Sequence, residues 1–307
     1  MGGPDNAIRL RMASFYLLDD SAIGSEPSAV LEAQFSTRLQ GVENRPNVFA
    51  ELCILDMLLA IHRVRGGYYR EKLILKGGHS VRTYVPLRAH RFSYDLDFNI
   101  DRNAGYTFRD IQTLSDDLNT FAESRRSQIR ATVTKHTQRF YWITLNYRRV
   151  IEARYGVRIP EEPKIEICKD CRTIQSPADN VIVTMAESSL LGVTLPNVKQ
   201  LELNEQLSNK LYVIGVTARQ RRHFDIFDSK RILEYNEDTL NWEIVRNSFR
   251  ALLRRENAES HIRRARRLIQ TAAEDTNTTR RLESATFEPF NFEEAARIVS
   301  DLYSKIS

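Results

Sequence analysis

Residues Leu73 to Asp101 constrain this chain more than any other stretch. An apolar run, Leu73-Ile74-Leu75, leads into Lys76-Gly77-Gly78-His79-Ser80, and later into Arg91-Phe92-Ser93-Tyr94-Asp95-Leu96-Asp97-Phe98-Asn99-Ile100. Adjacent glycines directly after a strand let the backbone turn through conformations closed to other residues. Such a turn leaves backbone N–H groups free to face an anion such as a triphosphate. In the later run, alternation with period two predicts a strand with Leu96, Phe98 and Ile100 on one face and Asp95, Asp97 and Asn99 on the other. Neighbouring carboxylates repel each other unless a cation lies between them, and oxygen-only donors suit Mg²⁺. A phosphate-facing turn and a carboxylate pair on neighbouring strands are the parts that metal-assisted nucleotidyl transfer needs.

Taken alone, Asp95 and Asp97 also fit a solvated strand face. Glu166 changes the balance, because it lies on the polar face of another predicted strand, Lys164-Ile165-Glu166-Ile167. Three carboxylates from two strands suit a two-metal centre, where one ion activates the attacking hydroxyl and the other escorts the triphosphate. Glu166 is also placed to take the hydroxyl proton as a general base. A second constellation joins Lys210, on a predicted helix, to Asp225 and Asp228, one turn apart on the next. A lysine held by an aspartate is a fixed positive charge, useful against phosphate charge in a transition state. On spacing alone, an interhelical salt bridge accounts for it more simply.

The remaining pattern predicts an α+β chain, a mixed sheet flanked by helices and followed by a helical C-terminal part. Helical spacing is expected over Ala29–Leu39 and Val48–Val64, the latter stopped by Gly66-Gly67, and again over Phe108–Ser124. Further strands are expected at Ile129–His136, Phe140–Tyr147 (apolar on both faces, as in a central strand) and Val181–Val183. From about Leu201 helices dominate: Leu203–Val213, Phe224–Tyr235, Leu240–Arg255, Ser260–Thr271 and Phe292–Tyr303, with Asp275–Thr279 as a polar loop. The domain division implied is 1–195 for the sheet part and 196–307 for the helical part. With 307 residues, 42% hydrophobic and 28% charged, the chain can bury a sizeable core, and it has no apolar run long enough to span a bilayer. The first residues lack the apolar core of a signal peptide, so the expected location is cytoplasmic. Three cysteines argue against a disulfide framework, and the Cys168-x-x-Cys171 pair reads as two incidental cysteines at a strand end, since structural zinc needs four ligands. The net charge of +5 permits a polyanionic partner without requiring one. Arginines are dense from Arg246 onward, including Arg250, Arg254, Arg255, Arg263, Arg264, Arg266 and Arg267. A helical face of this kind either docks a phosphate backbone or is simply solvated.

Lys76-Gly77-Gly78, Arg91 to Phe98, Lys164 to Ile167, Glu205 to Leu211 and Asp225-Ile226-Phe227-Asp228 together resemble the ordered motifs of the AbiEii/AbiGii nucleotidyltransferase toxins. These include the MenT relatives and belong to the DNA polymerase β-like nucleotidyltransferase superfamily. The resemblance covers about residues 48–235. It implies an NTP-dependent, pyrophosphate-releasing enzyme with Mg²⁺ or Mn²⁺, acting as a toxin against growth or in phage abortive infection. It also implies a cognate antitoxin, with RNA, above all the tRNA 3′ end, as acceptor. Carried over, Asp95, Asp97 and Glu166 would hold the metals. Lys76, Gly77, Gly78, His79, Ser80, Ser93 and Lys210 would surround the nucleotide, and Lys210 and Asp225 would fill the later catalytic positions, with Asp228 the alternative to Asp225. Two departures stand out: His79 precedes Ser80 where the family has Thr or Ser directly after the glycines, and Phe224 replaces an arginine before the aspartate. A protein or small-molecule acceptor, or a catalytically silent binding partner, remain the alternatives.

Overall fold

The alternating segments of the chain assemble into a sheet that takes several helices with it, and the C-terminal helical segments pack around a core of their own. The computed structural model describes residues 45–182, 197–216, 222–255, 258, 262–283, 286 and 288–306. The helix expected over Ala29–Leu39, the strand end at Val183 and the side chains of Arg263, Arg264 and Arg266 lie outside the described residues.

The strands are β1 (Leu73–Lys76), β2 (Asp95–Ile100), β3 (Ala131–His136), β4 (Phe140–Leu145), β5 (Lys164–Cys168), β6 (Ala178–Ile182) and β7 (Asn197–Gln200). Among the described residues they form a seven-stranded sheet in the order β3-β4-β5-β2-β1-β7-β6. β2 and β5 run parallel, while β4 is antiparallel to both β3 and β5, so the sheet is mixed. A parallel pair cannot be joined by a tight turn. The chain meets that limit by laying down the β3–β4 hairpin before β5 returns to the side of β2.

The helices are α1 (Arg45–Arg63), α2 (Gly77–Val81), α3 (Leu114–Ser124), α4 (Tyr147–Tyr155), α5 (Leu203–Val216), α6 (His223–Asn236), α7 (Trp242–Arg255), α8 (Ile262–Glu274), α9 (Thr276–Glu283) and α10 (Phe292–Ile306). α1 is buried on nearly every side, through Phe49, Leu52, Ile54, Leu55, Met57, Leu58 and Ile61. It stops where Arg65, Gly66 and Gly67 take positive φ, as the glycine pair predicts.

Four local expectations need correction. Phe108–Asp110 is a single 3₁₀ turn, closed by a Thr107/Asp110 capping box, and the helix itself begins only at Leu114. Asp275–Thr279 is not a loop, since α9 starts at Thr276. β4 is not apolar on both faces in burial: Tyr141, Ile143 and Leu145 are buried, whereas Phe140, Trp142 and Thr144 stay partly exposed. Cys168 and Cys171 are bonded to each other at the end of β5, where the chain bends back far enough to bring their sulfurs together.

Among the described residues, backbone contacts give two units, one drawn from residues 45–75, 92–172, 179–182 and 197–199, the other from residues 76–91, 173–178 and 200–306. The first contains the sheet with α1, α3 and α4. The second is helical, with a core that includes Leu207, Leu211, Phe227, Phe249, Val299 and Tyr303. α2, which opens with the glycine pair, belongs to this second unit and packs on α5 and α6.

Candidate active site

Within the sheet unit, β2 and β5 are in register so that Asp97 lies opposite Glu166 and Asp95 opposite Lys164. Alternation then places Asp95, Asp97, Lys164 and Glu166 on one face, partly exposed, while Leu96, Phe98, Ile165 and Ile167 are buried on the other. The start of β2 is pinned by α1. Glu51, fully buried, accepts the Ser93 N–H at 2.7 Å, and Asn47 accepts the Tyr94 hydroxyl at 2.6 Å. Neither contact was predictable from the apolar stripe of this helix, because each is a buried polar side chain facing a strand remote in sequence.

Lys164 is the residue that motif reasoning left without a role. Its ammonium lies 2.6 Å from Glu166 and 3.4 Å from Asp95, taking the place between carboxylates that a cation would otherwise fill. Even so, Asp95 is pushed up to about 7. Burial is the largest cause, and the charges of Asp97 and Glu166 add to it against the opposing effect of Lys164. Its Oδ1 is buried without a hydrogen-bond partner among the described residues. An oxygen-only donor set with an orphaned buried carboxylate oxygen fits a hard divalent cation. The three carboxylates do not close around a single point. Among the described residues, the one group with ligand atoms all within 4.8 Å of one another is Cys168, Asp170 and Cys171, whose joined sulfurs offer no thiolate.

The helical unit holds the second constellation. Lys210, on α5, is almost fully buried, with Asp228 Oδ2 at 2.7 Å and Asp225 Oδ1 at 3.1 Å, both on α6. Arg91 grips Asp228 through two parallel bonds of 2.9 and 2.8 Å, and Arg222 holds Asp225 at 2.8 Å. Burial works against the Lys210 ammonium, but Asp228 and Asp225 outweigh it, so its pKa is raised. Burial likewise opposes the Asp228 carboxylate, yet Arg91 and Lys210 hold it below the usual carboxylate range. The lysine thus bonds both aspartates between which the spacing could not choose. Phe224, standing in place of an arginine, carries the Arg91 guanidinium 4.6 Å from its ring centroid. Sequence reasoning missed Arg91 here because it comes from a segment more than a hundred residues away.

In the same unit, Gly77 has φ of +72° and Lys76 before it is extended, so the first glycine makes the turn that the pair predicted. Its carbonyl accepts a bond of 2.9 Å from the Gln206 amide on α5. His79 and Ser80 follow within α2 and are buried, as is Gly78. Glu205, also on α5, accepts the N–H groups of Ile174 and Gln175 at 2.8 to 3.1 Å, tying down the segment after the cysteine pair.

The model of the AbiEii toxin nucleotidyl transferases, a type IV toxin–antitoxin family, matches residues 66–301, well over half of the chain. The chain belongs to the AbiEii family. It is accordingly a nucleotidyltransferase of the toxin type, and the match runs past residue 235 through most of the helical part. MenT4, a nucleotidyltransferase toxin from Mycobacterium tuberculosis, shares the fold with a TM-score of 0.55 at 13% identity, over 91% of this chain and 89% of that one. JHP933 from Helicobacter pylori aligns with a TM-score of 0.48 at 14% identity, over 86% of this chain and 92% of that one. A search among curated proteins finds no match. No helix among the described residues of this AbiEii protein is long and apolar enough to cross a membrane.

Proposed function

We propose that this AbiEii protein transfers a nucleoside monophosphate from an NTP to the 3′ hydroxyl of RNA, with the tRNA 3′ end as acceptor, and releases pyrophosphate. The observation that carries the proposal is the carboxylate row of β2 and β5: three acids on one face, one with an orphaned oxygen and a pKa near neutrality. Asp95, Asp97 and Glu166 are the residues that would hold Mg²⁺, with Mn²⁺ as a substitute. When bound, the ion supplies positive charge to the reacting phosphate and to the attacking hydroxyl. In its absence Lys164 offsets part of the negative charge of the row. Because Asp95 is half protonated close to pH 7, cation binding there displaces a proton. Glu166 is assigned the acceptor proton.

The glycine turn at Gly77 is assigned the triphosphate, with Lys76, Gly78, His79, Ser80 and Ser93 around the nucleotide. Lys210 and Asp225 are assigned an electrostatic role toward phosphate, and Asp228 with Arg91 holds that lysine in place. The physiological consequence proposed is growth inhibition or phage abortive infection in the cytoplasm, countered by a cognate antitoxin protein. Incubating the purified protein with each α-labelled NTP, Mg²⁺ and total RNA tests the chemistry. Label at RNA 3′ ends, lost with a chelator, is the expected result. Label on protein or on a small molecule would replace the acceptor, and no turnover with any NTP would overturn the proposal.

A further inference from the structure

The partly exposed face of β4 continues the carboxylate row with a different chemistry. Trp142 is the register partner of Glu166, and Lys135 on β3 is the register partner of Trp142. Asp97, Glu166, Trp142 and Lys135 therefore stand in line across four strands, about 4.8 Å per step. The register of β3 shifts between Val133 and Lys135, a bulge that changes which side chains share a face. The Lys135 ammonium rests 3.8 Å from the Trp142 ring centroid and 5.2 Å from that of Phe140. It makes no ion pair among the described residues, although Glu166 and Asp97 are only two and three strands away. Lys164 lies 5.0 Å from the Trp142 ring centroid, and Arg139 lies 5.3 Å from that of Phe140. The indole Nε1 is buried without a hydrogen-bond partner among the described residues.

Aromatic rings interleaved with cations, left partly open beside a catalytic row, have the chemistry of a single-stranded nucleic-acid platform: bases stack on the rings and phosphates meet the ammonium groups. We infer that Trp142 and Phe140 carry the terminal bases of the acceptor strand and that Lys135 meets its backbone phosphate. This inference rests on the proposed RNA acceptor. A nucleotide on this platform has two sources, the acceptor or the NTP. Strand order favours the acceptor: the glycine turn assigned to the triphosphate follows β1, and β1 and β4 lie on opposite flanks of the β2–β5 pair. On this assignment Trp142 and Lys135 are positioning residues for the acceptor.

The chain has two tryptophans, so Trp242→Phe leaves Trp142 as the single indole reporter. In that background, titration with a short oligoribonucleotide bearing a 3′ hydroxyl should quench the fluorescence, while a non-hydrolysable NTP analogue should not. Lys135→Ala should weaken oligonucleotide binding and flatten its salt dependence. In steady-state transfer, Trp142→Ala should raise KM for the RNA acceptor on the order of 10-fold or more with KM for the NTP unchanged, and Trp142→Phe should restore most of the loss. Quenching by the NTP analogue alone would reassign the platform to the incoming nucleotide and overturn the acceptor assignment. No quenching by either ligand, or a Trp142→Ala variant altered only in melting temperature, would overturn the platform altogether. Because fluorescence reports binding without turnover, these results stand apart from the transfer assay: wild-type protein that labels no RNA refutes the RNA acceptor, whatever the indole does.

Discussion

Asp95 is an acid that folding makes harder to ionise. Its pKa is raised from 3.8 to about 7, so the native state holds a proton that the unfolded chain has already released between those values. Stability from this group is therefore fully present below about pH 4 and is lost as pH rises through about 7. Asp95→Asn should then be more stable than wild type at pH 8 in the presence of a chelator, by on the order of 2 kcal/mol after discounting for partial exposure, with the gap closing near pH 4. Chemical denaturation at the two pH values measures it, and a gap that grows on acidification would contradict the burial argument. Added Mg²⁺ should raise the wild-type melting temperature more at pH 8 than at pH 6, because below pH 7 the ion must first displace a proton. Asp97 is tested by function: Asp97→Asn should abolish nucleotidyl transfer while leaving the melting temperature within a few degrees of wild type. Retained transfer in that variant would remove Asp97 from the metal site.

At the scale of elements, the α5–α6 pair is held by a nearly closed group of charges. Removing one partner of a buried ion pair strands the others, at a cost of about 3–5 kcal/mol. Asp228→Asn leaves both Lys210 and Arg91 short of their carboxylate and should fall in that range by urea unfolding. Asp225→Asn should cost less, since Asp225 is more exposed and Lys210 keeps Asp228. Lys210→Ala separates the two roles open to the lysine. A loss of turnover on the order of 100-fold, measured below the melting transition of the variant, is expected if the charge acts on phosphate. If stability falls and turnover of the folded fraction does not, Lys210 serves only to join the helices. The strand pair shows the same dependence on neighbours. β2 and β5 were each legible from alternation and from their acids, and so was the same-face spacing of Lys164 and Glu166, but the ion pair of Lys164 with Asp95 follows from parallel register, which no local pattern encodes.

At the scale of the whole chain, family membership and the carboxylate row lead to a cellular expectation. Induced expression of the wild-type protein should arrest growth, expression of Asp97→Asn at equal level should not, and co-expression of the cognate antitoxin should restore growth to wild-type cells. Growth curves with immunoblot-matched protein levels test this, and equal arrest by the Asp97→Asn protein would separate toxicity from nucleotidyl transfer. The helical part falls within the family match even though its motifs were the weaker signals. Its exposed arginines on α7, Arg246, Arg250 and Arg254, recur every fourth residue and so share a face.

The periodicities are written in the order of residues alone, and with them the sheet-then-helices order, the acids on one face of β2 and the glycine at which the chain turns. Each is a local property, fixed by side-chain spacing or by the φ a residue tolerates. What those residues meet is set by folding. Glu51 reaches the Ser93 amide, Arg91 closes on Asp228, the cysteine pair bonds, and Trp142 lines up with Glu166. The first two join segments far apart in the chain, the last comes from strand register, and the bond between Cys168 and Cys171 depends on how the chain bends after β5. None leaves a periodic trace, because the free energy of a buried polar contact depends on the partner that folding delivers rather than on the neighbours in sequence.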